Sequence, residues 1–237
     1  MGVTSLAYAS VAIFVRQLTD AGMSVVAVAF FRLALSALVL VRVVSLCAPQ
    51  GAATAGGLVS GAAMGGGWIV YVRTIDTADV AIAGVVQMTY PLFSLAAAWL
   101  FFAVRPTSRS SGSAALIVVA AAVGLGLGTG AGLSPLLFVA PASFGFSIAV
   151  LTERLGPLDP FERLASVTVG ASVAMSPLLF TLRVDQVVPD SVGTAAWVLA
   201  IGAVSALIPM TFYAAAAPVI GTSRTAAAGS AELPTMF

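Results

Sequence analysis

VAIAGVVQMTYPLFSLAAAWLFFAV, residues 80–104, is long enough to cross a membrane and carries no charged side chain. A helix built from it has no polar face to offer water, so it must be buried all round or sit in lipid. Its borders are polar. Arg73, Asp76 and Asp79 mark a turn before it, and Arg105-Pro106-Thr107-Ser108-Arg109 forms a loop after it.

The rest of the chain extends that pattern. Of 237 residues, 60% are hydrophobic and 8% charged, against about 25% charged in an ordinary soluble domain. So little charge cannot cover a water-exposed surface, and lipid is the solvent that resolves the conflict. The formal net charge of +1 offers no basic patch for nucleic acid. Every cation is arginine; Lys, His and Asn are absent. Without His the commonest general base and metal ligand is missing. Cys47, the single cysteine, forms neither an intrachain disulfide nor a CxxC knuckle. No catalytic residue, metal site or cofactor is therefore expected. Nothing near Ala7-Tyr8-Ala9 has the basic and long apolar segments of a signal peptide, so the chain start reads as the first span.

Charges and turn residues divide the remainder. Span 1 reads as 2–15, closed by Arg16 and Asp20. Span 2 reads as 25–46, with Arg32 inside it, and span 3 as 56–72. The uncharged run 110–152 is too long for one span. Gly128-Thr129-Gly130-Ala131-Gly132-Leu133-Ser134-Pro135 splits it into span 5 (112–127) and span 6 (136–151). Glu153 to Arg163 reads as a charged loop, then span 7 (164–182), a loop with Arg183 and Asp190, and span 8 (195–215). After a turn near Pro218 and Gly221, an apolar stretch begins at Ser223 and stops after two thirds of a span. The expectation is an all-α integral membrane bundle of about nine spans, the last incomplete as in a truncated product. With the N-terminus cytoplasmic, six arginines (42, 105, 109, 154, 163, 224) lie inside and three (16, 73, 183) outside, in keeping with the positive-inside rule.

The halves echo one another. Tyr71 to Pro91 holds a polar turn and an apolar helix, and Tyr213 to Pro234 does the same, with Tyr-to-Pro spacings of 20 and 21 residues. Ile13 to Leu18 is matched by Val150 to Leu155. A unit of five spans is odd, so a second copy enters the membrane inverted, the arrangement of many secondary transporters. The boundaries are 1–132 and 133–237.

On these residues the chain resembles the drug/metabolite transporter superfamily, in its EamA-like branch. Tyr8-Ala9-Ser10 through Arg16 is similar to the first-helix Trp-Gly-Ser…Arg pattern. Phe31-Arg32 resembles the second-helix aromatic-Arg pair, Thr89 to Phe102 the fourth helix with its central proline, and Glu232-Leu233-Pro234 the ninth-helix Glu-Pro. Phe102-Ala103-Val104-Arg105 stands where the family pattern has Gly-Glu-Arg, so the Glu is missing. The resemblance implies ten spans in two inverted five-helix repeats and export of small metabolites or drug-like solutes. It implies the cell membrane, bacterial by the Ala, Gly, Val and Arg bias. The partners expected are the lipid bilayer, a small solute and a coupling proton, with a homodimer as one assembly. A non-transporting truncated remnant and a membrane-embedded enzyme are the rival readings.

Several residues are candidates for lining a cavity. Arg32 lies about 12 Å inside span 2, where a bare guanidinium must face protein or water. It reads equally as an anion or proton-coupling contact and as a tether between helices. Glu232 is the acid placed inside a span; it is a proton carrier, a partner for Arg32 or a packing residue. Gln87, Thr89 and Tyr90 lie mid-span beside Pro91, which withholds an amide hydrogen and exposes a carbonyl. Pro234 is its counterpart. Trp68 and Tyr71 fit either a cavity wall or an interfacial aromatic belt. Gly57, Gly61 and Gly65 share a face of span 3 and are expected to let another helix approach closely. The glycines from Gly124 to Gly130 follow an apolar span and lack a lysine, so a phosphate loop is rejected.

Overall fold

A computed structural model describes residues 10–44, 50–75, 85–87, 89–108, 111–112, 114–116, 119 and 134–230. Its principal helices are α1 (Val11–Asp20), α2 (Val25–Leu40), α3 (Gly51–Ile75), α4 (Tyr90–Phe102), α5 (Val139–Glu153), α6 (Pro160–Leu179), α7 (Val184–Val187), α8 (Val192–Gly202) and α9 (Ile208–Ser230). No strand occurs among the described residues. A π turn over Ala203–Leu207 joins α8 to α9 in a rod that runs to Gly221, where the backbone leaves helical geometry at φ 79° and ψ 161°, at the turn expected from sequence. Among the described residues, Val85–Phe102, Pro135–Glu153 and Val192–Gly221 are long and apolar enough to cross a membrane.

Local chemistry sets the helix ends. Gly22, at φ 89°, turns the chain out of α1, and Ser24 opens α2 by accepting from the Val26 amide. α1 runs through Arg16 to Asp20 rather than ending at 15. Arg16 and Asp20 form an exposed pair one turn apart at 3.8 Å, which a helix tolerates in its last turns. α4 ends as its charged flank predicts: Ala103 turns left-handed at φ 57° and the Val104 amide donates back to the Ala98 carbonyl. Ser134-Pro135 opens the approach to α5, at the break expected from sequence.

One reading needs correction. Residues 159–163 are not loop. Asp159 caps the amides of Phe161 and Glu162 at 2.8 and 2.9 Å. The Glu162 carboxylate accepts from the Asp159 amide, and Pro160 occupies the first helical position. This capping box starts α6 at Pro160 and carries Arg163 into the helix, where it is 9% exposed.

Packing is closest between α3 and α6. A methyl placed on Gly61 would collide with the Val167 carbonyl, and one on Gly65 would lie 2.6 Å from the Ala171 oxygen. From the other side, Gly170 leaves no room before the Leu58 carbonyl. The glycine face of α3 is thus a backbone-to-backbone seam, as its spacing predicts. α3 also rests on α5, α5 on α4, and α2 lies between α6 and α8. Leu155, Leu158, Leu164 and Met175 anchor the core between these helices. The outside is apolar as well. Leu38, Phe180, Val192, Phe212 and Val219 are all exposed, a surface suited to hydrocarbon rather than water.

Candidate functional site

A cavity of about 340 Å³ lies between α2, α3, α5, α6, α9 and the segment leading into α4. That size suits a small organic molecule. Trp68, Tyr71, Tyr90, Phe144 and Tyr213 face it, with Met64 and Met210. The rings lock one another edge to face. Trp68 and Tyr71 stand 5.2 Å apart at 84°, and Tyr90 and Phe144 stand 5.0 Å apart at 89°. Such pairs hold flat surfaces in fixed orientation. Trp68 and Tyr71 therefore form part of the cavity wall.

Besides the tyrosine hydroxyls and the Trp68 indole, the polar residues on the wall are Arg32, Gln87, Ser147 and Arg163. Gln87 belongs to a helical turn at 85–87 that is broken before α4. The Thr89 amide closes a tight turn on the Val86 carbonyl, and the Leu92 amide one on Thr89. The Gln87 Oε1 is buried with no hydrogen-bond partner among the described residues. A buried acceptor without a donor is costly, so a donor on a bound solute would be favoured there.

Arg32 donates from Nε and Nη2 to the Ser205 carbonyl at 3.3 and 3.0 Å. It is thus a tether from α2 to the π turn that also borders the cavity. Arg163 donates to three carbonyls, from Nε to Leu155, Nη1 to Ala214 and Nη2 to Gly156, each at 2.8 Å.

The structure brings Arg32, Trp68, Tyr71, Gln87 and Tyr90 together. It leaves two others off the wall. Thr89 is buried with its hydroxyl on the Val86 carbonyl at 2.6 Å, and Pro91 is buried in the first turn of α4. Glu232 and Pro234 lie outside the described residues, as do most of span 5 and the last part of span 9, 231–237. Sequence reading missed Arg163, Phe144 and Met210, and used Tyr213 only as a marker of repetition. The Asp-Pro-Phe-Glu capping box was the signal that would have placed Arg163 inside a helix.

Among the described residues a helical, lipid-compatible bundle surrounds an aromatic-lined cavity, the form of a multi-pass membrane protein. The EamA-like transporter family model matches residues 2–125, and the chain belongs to that family. No curated protein and no solved structure gives a match.

Proposed function

We propose that the protein is a secondary transporter, working as an exporter, of small metabolites or drug-like solutes. The carrying observation is the cavity, to which helices of both chain halves contribute walls: α2 and α3 from the first, α5, α6 and α9 from the second. In this reading the chain makes about nine spans in two inverted units, 1–132 and 133–237, with its N-terminus in the cytoplasm. The packing supports it. The third span of the first unit, α3, lies on the second span of the other, α6; the third span of the second unit, starting with α8, lies on α2. A two-fold axis in the membrane plane would exchange these two contacts. Rocking of one unit against the other would then expose the cavity to each side in turn. Arg32 and Glu232 are the charged groups assigned to solute or proton coupling.

The test is flux from proteoliposomes loaded with pooled radiolabelled metabolites, with and without a pH gradient. Release of a subset of solutes is expected, reduced by Arg32→Ala and Glu232→Gln while insertion stays normal. No protein-dependent release of any pool, from protein with a single symmetric gel-filtration peak, would favour a protein that does not transport.

A further inference from the structure

The rod from Val192 to Gly221 contains two prolines, Pro209 and Pro218. In an α-helix each amide donates to the carbonyl four residues earlier, and proline has no amide hydrogen to give. The carbonyls left without that donor are those of Ser205 and Ala214. These are the carbonyls that receive the two cavity arginines: Arg32 on Ser205 and Arg163 on Ala214. The π turn sits at the first of them. There the Ile208 amide reaches back to Ala203, five residues away, so the ladder is already displaced beside Pro209.

We infer that Arg32 and Arg163 are positioning residues that replace the hydrogen-bond donors missing at Pro209 and Pro218, and so fix the cavity wall from Met210 to Ala214. The two carbonyls are separated by about 13 Å of helix, and Met210 and Tyr213, both facing the cavity, fall between them. One support comes from α2 and the other from α6, so the wall is fastened to both chain halves. Repair by a distant arginine is not the default. At Pro177 in α6 the freed carbonyl is Val173, and the neighbouring Ser176 hydroxyl takes it at 2.9 Å. Next to Pro209 and Pro218 no adjacent hydroxyl takes this part. The Ser205 hydroxyl is spent on Ile201 and that of Thr211 on Leu207. Ser205 and Ala214 are both buried between helices, where a carbonyl left without a donor is costly.

The inference rests on hydrogen bonding and does not depend on transport, so it is tested on folding. Thermal unfolding of the full chain in detergent is followed for Arg32→Met, Arg163→Met, Pro209→Ala, Pro218→Ala and the four arginine–proline double variants. Each arginine variant is expected to lower the midpoint by about 4–8 °C. Pro209→Ala should recover at least half the loss in Arg32→Met and none in Arg163→Met, whereas Pro218→Ala should recover about a third of the loss in Arg163→Met, because Ala214 is one of its three carbonyls, and none in Arg32→Met. Where an arginine variant does not accumulate as a folded peak, recovery of that peak by its own proline partner is the same result. Rescue of both arginine variants by either proline change, or of neither, overturns the assignment.

Discussion

The seam between α3 and α6 and the wall formed by the 192–221 rod are held by opposite means. At the seam, Gly61, Gly65 and Gly170 keep side chains out and backbones touch directly, while Gly57 leaves room for the Ser166 side chain. At the wall, two of the longest side chains in the chain reach across to carbonyls that prolines have freed. The first contact works by absence and tolerates no added atom. The second works by reach and tolerates volume changes, provided the donors remain. The result is a rigid spine beside a wall whose fastenings are few and specific.

That contrast can be broken most sharply at Gly61. Gly61→Val puts a branched side chain into the Val167 carbonyl, and about 3 kcal/mol or more of destabilisation is expected, read as loss of the folded peak or a fall in melting midpoint. Gly66, on the same helix, would have nothing within 4 Å of an added methyl. Gly66→Ala should therefore be neutral or stabilise by about 0.4–1 kcal/mol, and equal damage at both positions would show that helix propensity, not the seam, was being measured. Next in size is Arg163→Ala. It removes donors from three carbonyls and is expected to cost about 3 kcal/mol, whereas Arg163→Lys, with its compact ammonium, should recover only part of that. Full recovery by Lys would mean that charge matters there and fork geometry does not. Asp159→Ala removes the cap that brings Arg163 into α6; about 1 kcal/mol is expected in the same melting assay. The smallest change belongs to Arg16→Ala. Its pair with Asp20 is exposed and should contribute less than about 0.5 kcal/mol.

Five of the residues that line the cavity stand out in the sequence itself. Arg32 announced itself as a charge inside an apolar run, and Trp68, Tyr71, Gln87 and Tyr90 as polar or aromatic groups at mid-span. The cavity contains all five. Thr89 and Pro91 look equivalent to their neighbours in sequence. Their placement depended on which way the broken segment before α4 turned, and no periodicity signals that. Arg163 was hidden because a cation between two apolar runs reads as punctuation. Only recognition of the Asp159–Glu162 box would have moved the boundary and made it an interior group.

The sequence alone determined the solvent. Stretches so apolar and so sparsely charged leave backbone amides and carbonyls satisfied only inside helices, and that constraint is local. It also determined the glycine face of α3, since glycines four residues apart must fall on one side of a helix. Tertiary structure decided which helix meets that face, and which oxygens the arginines reach. Those depend on pairs far apart in the chain, such as residues 32 and 205 or 163 and 214, and no local pattern encodes a partner at that distance.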